Sequence, residues 1–442
     1  MGLQVFLQRG NDFRQCPQPT HFVDPLGDED RRELRWYLEG YLQFPYGAEE
    51  YRARRVEESM ERWGESLFAE VFPKSGPDPT PHALYEEAVR VGLETCELSI
   101  SSEDARFLNI PWELIRDPTP GRGYLAPLLG GLYRQRTGMK LDPLQEAPGG
   151  RPFRILLVIA RPYGDQDIPL GTVARPLLEA LRPLGKRVEV ELLRPPTFDA
   201  VQRRLNEHRG FYDVVHFDGH GVFGKSLSEP VDELNAEVGH LVFEKASGGP
   251  ETVTSKDIGQ ALATCKVPVF ILNACQSGEE SATSAFGSVA SQLVALGSKG
   301  VVAMSYSVYA EAAARFMQRF YERILVPVSL SSAVADARKR LHAEPDRESV
   351  VGEIKLRDWM VPVLYQQEIG YLPFPKAADE VAAAGGEPPV RSNVEEECPA
   401  GRFGFVGRDY DLLRIERGLR DSQTPCTLLS GVGGTGKSEL AK

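Results

Sequence analysis

A histidine and a cysteine each stand at the end of an apolar, β-branched run in this sequence. His220 closes the run that begins at Asp213, and Cys275 closes the run that begins at Val267. Each run predicts a buried strand, and the carboxyl ends of parallel strands are where reacting groups collect in α/β sheets. A facing imidazole favours the thiolate form of a cysteine and can later protonate a leaving amine. We therefore predict a His220–Cys275 dyad with the chemistry of a cysteine endopeptidase.

The glycine directly after His220 fits the same chemistry. Gly221 has no side chain, so backbone can come close to a scissile carbonyl, and its N–H and that of Cys275 are predicted to form an oxyanion hole. His220 precedes Cys275 by 55 residues, which is room for one crossover helix and a short hairpin. A caspase-type nucleophile motif follows its histidine in the same order, by about 50 residues. The sequence identifies no third member of a triad.

Three neighbouring residues receive other interpretations. Asp218 stands two residues before His220, hence on the same face of a strand, and it either favours the imidazolium form of His220 or binds a basic substrate side chain. His216 lies inside its apolar run and is predicted to be a core histidine with a hydrogen-bonded ring. Cys265 ends a helical pattern and is predicted to serve packing alone.

The two motifs resemble the active-site signatures of the CHAT family, caspase-like and separase-like cysteine peptidases of prokaryotes. The signatures are His-Phe-Asp-Gly-His-Gly at residues 216–221 and Leu-Asn-Ala-Cys-Gln-Ser-Gly at residues 272–278. Further segments that resemble the family are Leu34–Leu38, Ile110–Pro118, Arg154–Pro162 and Gly239–Phe243. The family's catalytic histidine corresponds to His220 and its nucleophile to Cys275. Asp218 departs from the family, which more often has a small residue there.

This resemblance implies both a fold and an activity. The implied fold is α/β, a caspase-like three-layer α/β/α sandwich with an N-terminal mixed α+β region. The implied activity is a regulated protease that cleaves one or a few host proteins in prokaryotic antiviral defence or cell death, with a pore-forming protein or another cell-death effector as substrate. The alternative is a non-catalytic caspase-like scaffold that nucleotide binding assembles. The presence of both His220 and Cys275 favours the enzyme.

Composition indicates a globular protein of the reducing cytoplasm. The chain has 442 residues, 42% of them hydrophobic and 26% charged, which is enough for two or three domains with cores of their own. Its six cysteines form neither a CxxC pair nor a dense disulfide framework, so no metal site is expected. A formal net charge of −12 argues against a nucleic-acid partner and for protein partners. Neither a signal peptide nor a membrane span is expected, since no apolar run is long enough.

The chain divides into four regions. Residues 1–150 are predicted to be the α+β region of the CHAT unit, 151–375 the protease domain, 376–401 a linker, and 402–442 the beginning of a P-loop NTPase domain. Strands and helices alternate in the second region as in a doubly wound sheet. Its predicted strands are at 155–160, 188–193, 300–306 and 360–365, and its predicted helices at 171–184, 198–208 and 285–296, with two more between 310 and 341.

The fourth region carries a phosphate-binding motif. Residues 431–438 satisfy G-x-x-x-x-G-K-[ST] after a predicted strand at 426–429. Backbone N–H groups of the loop would cradle phosphates, Lys437 would contact the β and γ phosphates, and Ser438 would hold Mg²⁺. The loop glycines of this predicted nucleotide site are Gly431, Gly433, Gly434 and Gly436. The opening Phe405-Val-Gly-Arg resembles signalling NTPases of the STAND type. We expect ATP and Mg²⁺ to bind only with a complete NTPase domain, further regulatory domains to follow residue 442, and the protease itself to need no cofactor.

Overall fold

The computed structural model describes residues 2–137, 151–164, 167, 174–175, 177–178, 181–224, 238–276, 285–374, 409–420, 426–432 and 437. Its helices are α1 (Asp28–Glu39), α2 (Ala48–Val71), α3 (Pro81–Val91), α4 (Ala105–Leu108), α5 (Phe198–Glu207), α6 (Ser255–Thr264), α7 (Ala285–Ala295), α8 (Ala310–Ile324), α9 (Leu330–Ala343) and α10 (Asp409–Arg420). Single 3₁₀ segments lie at Tyr41–Gln43, Leu93–Thr95, Trp112–Leu114 and Arg182–Arg187.

The strands fall into one large sheet and several small ribbons. The strands of the ribbons are β1 (Gly2–Leu3), β2 (Phe6–Arg9), β3 (Asp12–Gln15), β4 (Thr20–His21), β6 (Arg116–Asp117), β7 (Gly123–Tyr124), β16 (Asp346–Ser349) and β17 (Gly352–Lys355). The strands of the large sheet are β5 (Glu97–Ser102), β8 (Gly131–Arg136), β9 (Phe153–Ile159), β10 (Val188–Leu192), β11 (Val214–Gly224), β12 (Val238–Glu244), β13 (Pro250–Thr254), β14 (Val269–Gln276), β15 (Gly300–Met304) and β18 (Pro362–Gln366).

The large sheet has the order β10-β9-β11-β14-β15-β18-β8-β5, and the hairpin β12–β13 extends from the distal half of β11. Strands β10, β9, β11, β14 and β15 are parallel, whereas β18 is antiparallel to β15. The described part of the connection from β11 to β14 contains the hairpin and helix α6, as the spacing of the two motifs predicted. The carboxyl ends of β9, β11 and β14 therefore meet at one edge of the sheet, where sites of α/β proteins form.

Helices cover both faces of this sheet. On one face Phe217 and Phe270 pack with residues of α5 and α6, and α7 packs beside α6. On the other face the ring of His216 stacks on Tyr321 of α8, and α9 packs against α8. Because both faces are buried, the central strands are nearly continuous apolar runs rather than alternating ones, interrupted by the buried polar residues His216, Asp218 and Asn273. The predicted α/β class with three layers is confirmed.

Local sequence explains where several of these helices begin and how close they lie. The hydroxyl oxygens of Thr197 and Thr254 accept hydrogen bonds from the first turns of α5 and α6, as N-caps do. Helix α9 lies so near the sheet that a Cβ on Gly131 would come within 2.8 Å of the Ser331 Cβ. Only glycine permits this approach.

Buried charges attach the N-terminal region to the sheet. Glu113, in the Pro-Trp-Glu segment, receives two hydrogen bonds of 2.7 Å from the guanidinium of Arg134 on β8 and one of 2.9 Å from Arg338 on α9. All three side chains are almost fully buried. Removing one member would leave an uncompensated buried charge, which is strongly destabilising. With β5 and β8 in the large sheet, residues before 138 are part of the same layered unit as the protease region.

Most predicted elements of the protease region are confirmed within one to three residues. These are the predicted strands at 155–160, 188–193, 300–306 and 360–365, the helices at 198–208 and 285–296, and the helix pair between 310 and 341. Of the predicted helix at 171–184, the structure describes Ala174, Arg175, Leu177, Leu178 and Leu181 as α-helical and residues 182–184 as part of a 3₁₀ segment. The predicted linker at 376–401 lies outside the described residues. None of the helices that the structure describes is long and apolar enough to cross a membrane.

The strand predicted at 426–429 is wrong. Residues 426–432 are irregular, and Leu428 and Val432 are 86% and 79% exposed. Among the described residues no strand pairs with this segment, and a strand without a hydrogen-bonded neighbour has neither ladder bonds nor a packed face to stabilise it. The apolar, β-branched composition of the segment could not by itself supply that neighbour.

Candidate active site

The predicted dyad lies on two adjacent central strands. In the parallel pair β11–β14, His220 is the register partner of Cys275, and Gly221 is the partner of Gln276. Neighbouring strands are about 4.8 Å apart, so the two backbone positions are immediate neighbours. On its other edge, β11 pairs at the same level with β12, where His220 lies opposite Val242 and Gly221 opposite Leu241. The pairing therefore brings together, at the carboxyl end of β14, the two residues that the sequence proposed for catalysis.

The imidazole of His220 has a carboxylate partner that the sequence did not reveal. Its Nε2 is hydrogen-bonded to Oδ1 of Asp167, whose side chain is only 1% exposed. The other oxygen of Asp167, Oδ2, accepts the backbone N–H of Tyr163 at 2.6 Å. The ring of Tyr163 stands edge-on to the imidazole with centroids 5.1 Å apart. These contacts fix the plane of the ring and its Nε2 side.

The other ring nitrogen of His220, Nδ1, is available to accept a proton. Nδ1 of His220 is buried and has no hydrogen-bond partner among the residues the structure describes. A carboxylate at Nε2 favours the tautomer with the proton on Nε2, because only that N–H can donate to Asp167. Nδ1 then carries the lone pair of a general base. This polarity is what a thiol partner at Nδ1 requires.

Asp167 was missed for a reason that lies in its position. It follows β9 in the chain and is not part of a strand. The alternation of side chains along a strand therefore could not indicate that it lies near His220. The acidic run Asp165-Gln-Asp167 at the carboxyl end of a predicted strand was the available signal. Such loops carry functional residues more often than the elements they join. Which of the two aspartates reaches the imidazole is decided only by the folded loop.

Asp218 lies beneath the site, in a buried ion pair. Its Oδ2 accepts a 2.7 Å hydrogen bond from the Arg161 guanidinium, and its Oδ1 accepts one of 3.2 Å from the amide of Asn273. Arg161 and Asp218 are 1% and 3% exposed as side chains. Burial raises the pKa of Asp218, while Arg161 acts to lower it, and a charged pair with both oxygens bonded is the arrangement we assign.

This position argues against the substrate-pocket interpretation of Asp218. Both carboxylate oxygens already have donors, and the side chain is closed off from solvent. A basic substrate residue would have to displace the guanidinium of Arg161. The remaining interpretation is that Asp218 acts electrostatically on His220. The two residues are close enough for His220 to lower the pKa of Asp218, which agrees with this interpretation.

We expect Asp218→Ala to act first on folding. Without its carboxylate, the buried guanidinium of Arg161 loses the 2.7 Å ion pair with residue 218, and breaking such a pair reduces the free energy of unfolding by about 3–5 kcal/mol. The matched control is Asp199→Ala, which removes an exposed carboxylate paired with Arg203 and should cost less than about 1 kcal/mol. Urea unfolding of both variants measures the difference. Equal losses would contradict the buried-pair assignment.

His216 is a core residue, which confirms its predicted role. It is fully buried, its Nδ1 is 3.0 Å from the Tyr321 hydroxyl, and the two rings are stacked with centroids 5.9 Å apart. Burial lowers the pKa of His216 to about 3. Cys265 is likewise buried, as predicted, with its Sγ 3.7 Å from Oδ1 of Asn206. Neither side chain reaches the edge of the sheet where His220 lies.

The buried neutral state of His216 has a consequence for stability. Because its pKa is lower in the folded than in the unfolded chain, stability is complete above the unfolded value of about 6.5 and falls as the pH drops toward 3. The loss between pH 7 and pH 5 from this one group is on the order of 2 kcal/mol. We expect His216→Phe to remove that part of the acid sensitivity in urea unfolding at the two pH values. An unchanged difference between pH 7 and pH 5 would contradict it.

The described part of the nucleotide motif shows one side chain in contact with its own loop. Nζ of Lys437 donates to the carbonyl oxygens of Gly431 and Val432, at 2.9 and 2.8 Å. Gly433, Gly434, Gly436 and Ser438 lie outside the described residues, so their predicted roles stay predictions. The side chain of Cys275 also lies outside them, and the oxyanion hole at Gly221 and Cys275 stays a prediction. Among the described residues, no group of three or more His, Cys, Asp or Glu side chains is arranged to hold a metal ion.

Comparison with known proteins identifies the family. The model of the CHAT domain matches residues 81–379, more than half of the chain, and the protein belongs to the CHAT-domain family. The match crosses residue 150, in agreement with β5 and β8 being strands of the same sheet. A comparison with curated protein sequences finds no match.

Two solved structures show the extent of structural likeness. Separase in the separase–securin complex of Saccharomyces cerevisiae is 13% identical over 78% of this chain and 22% of the separase chain, with a TM-score of 0.33. The Arg specific cysteine proteinase gingipain R is 10% identical over 76% of this chain and 73% of its own, with a TM-score of 0.34. The chain thus spans less than a quarter of the length of the separase chain.

Proposed function

We propose that this protein is a caspase-like cysteine endopeptidase in which Cys275 is the nucleophile and His220 the general base. The observation that carries the proposal is the register of β11 and β14, in which His220 is paired with Cys275 while Asp167 is bonded to Nε2 of the imidazole. The two residues of the dyad come from separate strands and the carboxylate from a third element. That convergence at one edge of the sheet is typical of a reaction site.

The proposed reaction uses the two ring nitrogens for different tasks. Nδ1 of His220 takes the proton of the Cys275 thiol as sulfur bonds to the peptide carbonyl carbon, and backbone N–H groups of Gly221 and Cys275 stabilise the oxyanion. The imidazolium then protonates the departing amine as the C–N bond breaks. Water, deprotonated by His220, attacks the thioester and releases the acid and the thiol. Throughout, the Asp167 carboxylate holds Nε2–H and stabilises the imidazolium.

The substrate we propose is a protein, cut at few sites. Membership of the CHAT family and the resemblance of its motifs to regulated proteases support a protein substrate. On the same grounds we propose a role in prokaryotic defence or cell death, in the cytoplasm. The aromatic ring of Tyr163 lies beside the imidazole of His220, and Tyr163 is 37% exposed. We propose that this ring contacts the substrate main chain next to the scissile bond.

We further propose that ATP with Mg²⁺ regulates the protease through the P-loop. Support comes from the motif at residues 431–438 and from the Lys437 ammonium, which lies over the first carbonyls of the loop that would cradle phosphates. When bound, the nucleotide's phosphates would accept hydrogen bonds from the backbone N–H groups of this loop. Regulation requires different nucleotide affinities in the active and inactive conformations. Titration of peptide cleavage with ATP, in a chain that carries the complete NTPase domain and in its Lys437→Ala variant, tests it, and equal cleavage by the two would contradict it.

A peptide carrying a thiol-reactive warhead tests the proposed protease function against the scaffold alternative. We expect mass spectrometry to find the probe on Cys275, and His220→Ala to abolish that labelling. Cys426 is an internal control, because it is exposed and should react with plain iodoacetamide equally in both proteins. If the peptide probe labels Cys426 as readily as Cys275, or if labelling does not depend on His220, the scaffold alternative is favoured.

A further inference from the structure

Helix α10, from the region that carries the P-loop, is docked on the protease unit beside the active site. Three of its residues, Leu413, Glu416 and Arg417, follow the i, i+3, i+4 spacing of one helix face, and we call them the docking face. Leu413 is 4% exposed, and Glu416 forms a 2.8 Å ion pair with Arg194 just beyond β10. The contact thus has an apolar residue with charged neighbours on the same face.

Arg417 makes the contact that leads to the dyad. Its guanidinium donates to the carbonyl oxygen of Arg161 at 3.0 Å and to Oε2 of Glu244 at 2.8 Å. The same Glu244 carboxylate, buried at the end of β12, accepts the backbone N–H of Arg161 through Oε1 at 2.8 Å. Arg417 and Glu244 together hold both the N–H and the C=O of Arg161. Removing Arg417 leaves a buried carboxylate without its cation, which disfavours this arrangement.

Arg161 begins the turn that carries the partner of His220. Its carbonyl, the acceptor of Arg417, also lies 3.5 Å from the N–H of Gly164, and the Gly164 carbonyl accepts the N–H of Asp167 at 3.2 Å. Asp167 then bonds Nε2 of His220. A continuous series of hydrogen bonds therefore joins Arg417 to the imidazole through three residues of one short turn.

We propose that Arg417 is a positioning residue, through which docking of α10 sets the Asp167–His220 contact and so switches the protease on. The inference rests on the proposed function of His220 as general base. Because coupling between two sites is reciprocal, whatever moves α10 in the nucleotide-binding region changes the population of the ordered turn, and a correctly held His220 favours the docked helix. This series of hydrogen bonds connects the active site to the region that carries the P-loop.

The test compares Arg417→Ala with Arg203→Ala in the whole chain. Arg203 is a matched control, an arginine of α5 paired with Asp199 on the exposed surface and remote in sequence from the turn. We expect Arg417→Ala to lower kcat about tenfold at unchanged KM, a typical size for coupling between sites, and Arg203→Ala to change nothing. In an Arg417→Ala background, Asp167→Asn should lower kcat by a smaller factor than in the native chain, since both act through the same contact. Additive effects, or a kcat equal to or above that of the control, would overturn the proposal.

A second measurement does not depend on proteolysis. The ¹⁵N shifts of His220, assigned by comparison with His220→Gln, report which ring nitrogen carries the proton. We expect the Nε2–H tautomer in the native chain and a mixture of tautomers in Arg417→Ala. If the native chain cleaves no peptide but the tautomer still changes, the protease assignment fails and the link from α10 to the imidazole stands. If the tautomer is identical in both proteins, the link itself is refuted.

Discussion

Replacing Cys275 by alanine, or His220 by alanine, is expected to reduce peptide cleavage by about 10⁶-fold each, and replacing both should reduce it no further. The two side chains form one unit, because the thiol is a poor nucleophile without its base and the base has no substrate without the thiol. Both changes remove atoms at the edge of the sheet and leave the buried strands intact. Single-turnover cleavage of a peptide library, with circular dichroism as a check on folding, measures the three variants.

The non-additivity is the informative part of this experiment. If the double variant is as inactive as each single variant, Cys275 and His220 act in the same step. His216→Phe is the control, because it replaces a histidine on the same strand that is buried away from the site. Losses of kcat that multiply in the double variant, or a kcat loss in the control equal to that of His220→Ala, would assign the base elsewhere.

Asp167→Asn is expected to reduce kcat by about 10²- to 10⁴-fold with little change in KM or stability. The backbone N–H of Tyr163 lies 2.6 Å from Oδ2 and requires an acceptor there, so the asparagine would keep its oxygen on that side. Its NH₂ group would then face Nε2 of His220. That geometry forces the proton onto Nδ1, and the nitrogen that should accept the thiol proton becomes a donor.

Comparison with Asp167→Ala separates this tautomer effect from simple loss of a contact. Asp167→Ala removes the carboxylate without offering a donor, so the imidazole can still populate the productive tautomer, and we expect it to retain more activity than Asp167→Asn. The order of the two variants is therefore the decisive observation. If Asp167→Asn is the more active of the two, the side chain at residue 167 acts by positioning the ring and not through the tautomer of His220.

Much of the protease region follows from local patterns in the sequence. Apolar runs of strand length alternate with helical stretches that open on residues such as Thr197 and Thr254, so the element order was predictable before folding was considered. The placing of His220 and Cys275 at the ends of two strands was predictable as well. His220 and Cys275 each end an apolar run, and the interval between them holds one hairpin and one helix.

Other features depend on contacts between residues far apart in the chain. Asp167 reaches the imidazole because the loop after β9 folds over the edge of β11, and no periodicity encodes that path. Asp218 is held in a buried ion pair by Arg161, which stands 57 residues earlier in the chain. The segment 426–432 has the composition of a strand but lacks a neighbouring strand among the described residues, and so it stays irregular.

Sequence alone thus determined the residue types of the dyad, their order and the class of the fold, because those depend on composition and spacing within single elements. Tertiary structure decided the polarity of the imidazole, the partner of Asp218 and the docking of Arg417 on the turn that holds Asp167. The physical reason is that a hydrogen bond is specified by position and direction to within tenths of an ångström. Only the packed sheet and its loops fix positions to that degree.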